Sequence, residues 1–310
     1  NTNDVLVKVH AGSLNPIDIR ICEGYGANFM FRGYEFPLVI GRDFSGTVVD
    51  IGTGVFDIQL GDDVYGAPKL HQPGCLDYIC VGLDCVVQKP ATLSHIEAAS
   101  LPYVGLTVLS ALKELVVTSK PPKRALVLGG SGGIGTFAIQ YLRAYGFTVV
   151  TTCSSSAMSL CSSLGAECID YKTQDVEKEL QSFEKFNIVF DAIGAVSVEW
   201  SSNILIKNGY FVTLKSPAVE NVDKFGTLNG LSTSASTLAR KKLERPEINT
   251  RWAYYKPDRR GLLEIARLVD SGVIQPVLQT NGVYDFNDVP KAFKALSKGS
   301  ARGKSVINVS

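Results

Sequence analysis

The sequence predicts an α/β chain: a doubly wound parallel sheet of Rossmann type joined to a β-rich domain. Three observations predict it. A glycine cluster lies between an apolar strand pattern and an amphipathic helix pattern at residues 124–146. Strand and helix patterns alternate from there to residue 214, as in a parallel sheet covered on both faces. The first hundred residues hold short β-rich runs separated by glycine turns, which suits a compact antiparallel or barrel-like domain.

In chain order, strand patterns fall at residues 5–10, 47–51, 63–65 and 77–81, with Gly61-Asp62-Asp63 as a turn. Residues 96–101 and 107–115 read as helices that lead into the α/β region. Residues 124–128 are an apolar strand. Residues 134–145 are helical because Ile134, Phe137, Ala138, Tyr141 and Leu142 share one face and Gly146 can end the helix. Strand 147–153, helix 156–164 closed by Gly165, strand 168–171 and helix 176–183 follow. Strand 187–193, helix 197–205 and strand 210–214 complete the alternation. Residues 216–257 are polar and weakly periodic, so no element is assigned there. Residues 259–271 form an amphipathic helix through Leu262, Leu263, Ile265, Ala266 and Leu268, stopped by Gly272. Helix 289–296 and strand 305–309 come last. The expected organisation is a first domain at 1–106, a nucleotide-binding domain at 107–256, and a segment 257–310 that returns to the first domain. No internal repeat stands out.

Bulk properties narrow the function. At 310 residues and 45% hydrophobic content, two domains with ordinary cores are within reach. A net charge of +1 gives no reason to expect nucleic acid or an anionic membrane as a main partner. No apolar stretch reads as long and charge-free enough to span a bilayer. The seven cysteines are scattered, odd in number and without a C-x-x-C, which reads as reduced thiols. The chain opens Asn1-Thr2-Asn3-Asp4 without Met; a longer N-terminus is expected, and any targeting peptide would lie in it.

Gly130-Ser131-Gly132-Gly133-Ile134-Gly135 matches G-x-G-x-x-G between strand and helix. The first glycine permits the tight turn, the second lets backbone approach a pyrophosphate, and the third lets helix pack on strand. Free N–H groups and the helix dipole then favour phosphate at Ser131, Gly132, Gly133 and Ile134. The bland alternative is a packing turn in another α/β fold. An NAD site places a carboxylate about 20 residues further on, against the ribose. Here no Asp or Glu occurs from Gly130 to Gly165, and the second strand runs into Ser154-Ser155-Ser156. Hydroxyls accommodate a 2′-phosphate that a carboxylate would repel, so NADPH is the expected cofactor, with Ser154 and Ser155 as phosphate contacts. The alternative is that Ser155 or Ser156 caps the next helix. No Lys or Arg follows directly; Lys172 and Arg302 are the nearest cations by pattern.

Five ordered blocks now point to a family: Asn15-Pro16-Ile17-Asp18, Gly41-Arg42-Asp43-Phe44-Ser45-Gly46, Ala99-Ser100-Leu101-Pro102-Tyr103-Val104-Gly105-Leu106-Thr107, the glycine motif, and Ala301-Arg302-Gly303-Lys304-Ser305-Val306-Ile307. The chain resembles the medium-chain dehydrogenase/reductase superfamily on its zinc-free quinone-oxidoreductase branch, and within it the reticulon-interacting mitochondrial oxidoreductases. The resemblance implies a GroES-like β domain plus a Rossmann domain, NADPH in the cleft between them, and reduction of quinones or conjugated carbonyls. It also implies the mitochondrial matrix, a link to ubiquinone biosynthesis, a homodimer, and a reticulon-type or ubiquinone-pathway protein partner. Zinc-dependent relatives carry Gly-His-Glu where this chain has Gly41-Arg42-Asp43, and no cysteine-rich lobe is present. His10, His71 and His95 read as ordinary scattered histidines, so no metal is expected.

Without a metal, the developing oxyanion needs a hydrogen-bond or proton donor. Asn15 is the first candidate by resemblance; equally, Asn15-Pro16 is a good N-cap followed by Pro at N1. Asp18 reads as structural, and Arg42 with Asp43 as a buried supporting pair. Tyr103 either donates a proton or walls the pocket, and Thr107 orients the nicotinamide. Gly194, after Asp191 at a strand end, allows close approach of the cofactor. Leu214 and Lys215 contact its ribose or amide, or Lys215 is a solvated loop charge. Tyr171 lies against adenine or the 2′-phosphate by resemblance. Tyr25 and Tyr34 flank a loop that either closes over substrate or is a plain turn. Two rival functions stay open: an NADPH-binding interaction protein with little turnover, and, with a poorer fit, a methyltransferase.

Overall fold

The computed structural model describes residues 1–28, 30–31, 35–70, 72–194, 196–299 and 302–309. Tyr34, His71 and Ala301, singled out above, lie outside the described residues. The chain forms two compact units: residues 1–107 with 255–310, and residues 108–254.

In the first unit the strands are β1 (Asp4–Leu14), β2 (Asp43–Ile51), β3 (Asp63–Gly66), β4 (Tyr78–Gly82) and β5 (Val86–Gln88), joined by helices α1 (Pro16–Cys22) and α2 (His95–Ala98). Helix α3 (Pro102–Thr118) carries the chain into the second unit, whose strands are β6 (Arg124–Leu128), β7 (Thr148–Cys153), β8 (Ala166–Asp170), β9 (Phe186–Asp191), β10 (Leu205–Thr213) and β11 (Asn249–Trp252). Its helices are α4 (Gly133–Ala144), α5 (Met158–Ser163), α6 (Val176–Leu180), α7 (Val198–Ser202), α8 (Pro217–Phe225) and α9 (Thr227–Glu244). The chain then adds α10 (Arg259–Asp270), β12 (Leu278–Asp285), α11 (Val289–Ser297) and β13 (Lys304–Asn308) to the first unit.

The first unit is a seven-stranded sheet in the order β12-β13-β1-β2-β3-β5, with β4 also paired to β1. All its pairings are antiparallel except β12 with β13. Strand β1 alternates Val5, Val7 and Val9 into a core with Phe44, Val48, Val64 and Val81, as period-two burial requires. Strand β13 lies directly beside β1, pairing Ala11 with Asn308 and Leu14 with Ser305. Two tyrosine hydroxyls join the C-terminal segment to the N-terminal part: Tyr65 donates to Leu262 O at 2.8 Å, and Tyr255 donates to Ala67 O and Pro68 O, each at 2.8 Å.

The second unit is a six-stranded parallel sheet in the order β11-β10-β9-β6-β7-β8. The chain starts in the middle, builds three strands one way, returns, and builds three the other way. This is the doubly wound order, with its switch between β6 and β9. Leu126, Leu128, Val150, Ile169, Val189 and Phe211 form its core.

Several expectations are revised. Leu205 is not in a helix; α7 stops at Ser202, and Leu205 is the first residue of β10, paired with Phe186. Its i+7 and i+4 spacing from Val198 and Ser201 imitates a helix face. Helix α3 begins at Pro102, five residues earlier than expected, because Pro is favoured at a helix start. The unassigned segment 216–257 contains α8, α9 and β11. Contrary to the expectation, one helical run, His95–Thr118, is long and apolar enough to cross a membrane. In this fold 67% of its most apolar window is buried within the protein.

Candidate functional site

In the second unit the cofactor candidates fall along the C-terminal edge of the sheet, in sheet order. Leu214 and Lys215 follow β10, Gly194 follows β9, residues 129–133 follow β6, Ser154 and Ser155 follow β7, and Tyr171 follows β8. This is the edge where open parallel sheets bind ligands.

The glycine turn has distinct spatial requirements. A Cβ at Gly130 would meet Thr151 Oγ1 at 2.0 Å, and one at Gly135 would meet Gly129 O at 2.2 Å. At Gly132 nothing lies nearer than Gly129 O at 3.7 Å. The space before α4 is thus open, and Gly133, Ile134 and Gly135 have N–H groups with no intrahelical acceptor. Thr152 holds the turn on β7, with Oγ1 accepting from Gly129 N at 3.2 Å and its carbonyl from Gly130 N at 3.1 Å. The chemistry of this cradle fits a pyrophosphate.

Asp191 organises the neighbouring loop. Fully buried, its carboxylate accepts from Gly194 N at 2.8 Å, Ile193 N at 3.2 Å and Thr213 Oγ1 at 3.3 Å. Gly194 has φ +70°, and a Cβ there would meet Lys215 Cβ at 2.8 Å. The Asp191 carboxylate therefore holds the loop that lines this edge.

The serine cluster needs a correction. Ser155 Oγ donates to Asp170 Oδ2, a carboxylate that ends β8. Asp170 also accepts from Lys172 N at 3.0 Å and Thr173 Oγ1 at 2.9 Å. The Ser155 bond, then these two, hold its carboxyl below the usual range. The Ser155 proton is thus committed within the protein, which leaves Ser154 the better-placed donor, 3.2 Å from Ser156 Oγ. The N-cap position of α5 is Ala157, so neither Ser155 nor Ser156 occupies it. Tyr171 is 55% exposed beside this edge, with its N–H on Cys153 O. Arg302 is an exposed residue of the first unit, two positions before β13.

In the first unit the sequence candidates belong to a buried polar network. Asp43 accepts from Ser13 Oγ at 2.5 Å, Asn15 Nδ2 at 2.9 Å, Lys304 Nζ at 3.3 Å and Tyr103 N. Lys304 Nζ also donates to Asn15 Oδ1 at 2.6 Å and Leu14 O at 3.1 Å. Arg42 does not pair with Asp43; its Nε bonds Asp18 Oδ1 at 3.2 Å. Asp18 further accepts from Asn15 N at 2.8 Å and Gly41 N at 3.1 Å. Burial pushes the Asp18 carboxyl up, opposed by Arg42 and these N–H donors. Two carboxylates thus face two cations, the arrangement a buried charge requires.

Asn15 occupies the N-cap position of α1, but its side chain bridges Asp43 and Lys304, and the residue is 2% exposed. Tyr103 stacks on Tyr255 with ring centroids 4.6 Å apart. Burial pushes both phenols up, so both stay protonated. Thr107 Oγ1 donates to Tyr103 O at 2.7 Å. Tyr25 lies under the Arg20 guanidinium, 3.9 Å from its ring centroid.

Sequence reasoning gave no individual role to Lys304 and missed Asp170 altogether. A lysine in the apolar run Lys304-Ser305-Val306-Ile307 was the available signal for the first. Asp170 ends β8, one strand beyond the β7 end where a ribose-binding carboxylate is expected.

The comparisons agree with this architecture. Residues 1–102 match the alcohol dehydrogenase GroES-like domain family, and residues 164–307 the zinc-binding dehydrogenase family. A Danio rerio protein named NAD(P)H oxidoreductase RTN4IP1, mitochondrial, is 40% identical over 99% of this chain and 84% of its own length. A Solanum lycopersicum 2-methylene-furan-3-one reductase is 31% identical over 99% of this chain and 72% of its own. The quinone oxidoreductase from Coxiella burnetii superposes with TM-score 0.82 at 29% identity, covering 100% of this chain and 92% of that one.

Proposed function

Because the chain belongs to the medium-chain dehydrogenase/reductase superfamily, as an NAD(P)H oxidoreductase of the quinone-oxidoreductase type, we propose that it uses NADPH, without zinc, to reduce a quinone or conjugated carbonyl. The open cradle at Gly132, with no acidic residue at the end of β7, carries this reading. Bound NADPH would supply a hydride. Ser131, Gly132, Gly133 and Ile134 hold its pyrophosphate, and Ser154, Tyr171 and Lys172 form the 2′-phosphate edge, with Ser155 behind them on Asp170. Gly194, Leu214 and Lys215 complete the nicotinamide half. The names of the Danio rerio relative and its homologues support a mitochondrial location; a role in ubiquinone biosynthesis belongs to the same proposal.

Tyr103 is the donor in this reading. Its phenol stays neutral and can hydrogen-bond a carbonyl oxygen as negative charge develops. Asn15, through Asp43 and the Tyr103 N–H, acts as a positioning residue. Thr107, whose Oγ1 donates to the Tyr103 carbonyl, orients the nicotinamide in this reading. Tyr103→Phe is expected to lower kcat by about 100-fold or more with NADPH affinity unchanged, checked by steady-state kinetics and cofactor titration. An unchanged kcat would make Tyr103 a wall of the pocket.

Zinc independence rests on Arg42, a cation in the position where zinc-dependent relatives place histidine, bound to Asp18. Turnover is expected to survive prolonged treatment with a zinc chelator; its loss, restored by added zinc, would refute the claim.

The deciding experiment titrates the protein with NADPH and NADH, then adds short-chain quinones and enones. NADPH-selective binding with quinone-dependent oxidation is the expected result. The mutual engagement of Asn15, Asp43 and Lys304 favours one second reading, an NADPH-binding interaction protein. Tight binding without turnover across the panel would select it.

A further inference from the structure

The seven cysteines are dispersed in sequence, yet the second unit gathers three of them. Cys153 ends β7, Cys161 lies in α5 and Cys168 in β8, and their three sulfurs lie within 4.8 Å of one another. Cys153 and Cys161 are buried and Cys168 is half-buried; none is in a disulfide. The oxidoreductase reading uses none of them.

We propose that Cys153, Cys161 and Cys168 form a three-thiolate site for a soft monovalent metal ion, copper(I). Thiolate sulfur selects soft ions. An ion holding three sulfurs in a plane at about 2.3 Å, the usual zinc–thiolate length, sets them about 4 Å apart. The cluster reaches that spacing with small side-chain adjustments. Zinc in a closed structural site takes four ligands, and among the described residues no histidine or carboxylate joins these three sulfurs. An all-sulfur, three-coordinate donor set therefore suits copper(I) better than zinc.

The partly exposed Cys168 gives the ion a way in. Each ligating thiol releases its proton to solvent, copper stays at +1, and no electron is exchanged. Burial pushes the Cys153 and Cys161 thiols up, so neither is the ready thiolate that peroxide oxidation needs. A thiophilic cation displaces the protons itself. The ligands come from two adjacent strands and the helix that joins them, so the bound ion ties one β-α-β crossover together and raises its resistance to unfolding.

The test is an anaerobic titration of the full chain with copper(I) against a colorimetric copper(I) chelator, with X-ray absorption at the copper edge. One copper per chain with three sulfur ligands, and a higher Tm on loading, are expected. Cys168→Ser and Cys161→Ala should each weaken binding at least tenfold, and Cys80→Ser, at an exposed thiol of the other unit, should not. Circular dichroism checks the variants; if Cys161→Ala fails to fold, the half-buried Cys168→Ser decides alone. Parent-like affinity in Cys168→Ser, fewer than three sulfur ligands, or displacement of copper by stoichiometric zinc would overturn the proposal.

Discussion

Gly132→Asp is expected to abolish NADPH binding while the protein stays folded. Gly132 is the N-cap of α4 with φ −75°, a backbone any residue adopts, and its Cβ direction is open. Aspartate is itself a favoured N-cap residue, so the helix loses nothing by the change. The new carboxylate would stand where the pyrophosphate approaches, excluding it by bulk and by charge. Affinity should fall at least about 100-fold, or about 2.8 kcal/mol, read by fluorescence titration beside a parent-like circular dichroism spectrum. Parent-like affinity would refute the assigned cradle. Gly135→Ala should do the opposite. Its methyl would meet Gly129 O at 2.2 Å and Gly130 Cα at 2.7 Å. Both are backbone atoms, so the strand–helix junction must separate at a cost of about 1–3 kcal/mol or more. One glycine of the motif is thus kept free by the ligand, and the other by the fold.

The second large effect is expected at Lys304. Its ammonium is the cation nearest Asp43, and both side chains are almost fully buried. Lys304→Met removes that charge and leaves the Asp43 carboxylate with neutral donors only. Removing one member of a buried pair costs about 3–5 kcal/mol, read as a lower denaturation midpoint. Arg267→Met, which breaks the exposed pair with Glu264, should cost under about 1 kcal/mol. Adding Asp43→Asn to Lys304→Met should recover part of the loss, because the uncompensated charge is then gone. A midpoint shift no larger than that of Arg267→Met would show that solvent reaches this network.

The parallel sheet was legible because its signals are local. Strand 124–128 has the observed bounds, and helix 134–145 lies within one residue of α4, because an apolar run and a 3.6-residue face need no distant partner. Strands β5 and β12 went unseen: one is three residues long, and the other is mostly half-buried or exposed and lacks a clean alternation. Helix α9 is largely exposed, and α8 buries only Val219 and Val222, so neither shows a long apolar stripe. In the site, glycine spacing carried its own meaning. The partnerships of Arg42 with Asp18, Lys304 with Asp43 and Ser155 with Asp170 did not, since each joins residues 15 to 261 positions apart. The cysteine cluster was hidden because two paired strands and the helix between them, not a short motif, bring its members together.

The insertion of β13 between β1 and β12 also has a consequence for synthesis. The second unit is continuous in sequence, so it can fold as soon as residue 254 has left the ribosome. The first unit cannot. Its central strand β1 precedes the unit's other strands, and β4 covers residues 4–8 of one edge, but residues 11–14 of that edge wait for β13. Until then, among the described residues, Asp18 and Asp43 lack Lys304 and have Arg42 to balance them, and residues 11–14 of β1 are open to pairing with other nascent chains. A chain released before residue 304 is expected to hold a protease-resistant second unit and a first unit that depends on chaperones, so truncations near the C-terminus should strike the N-terminal half hardest.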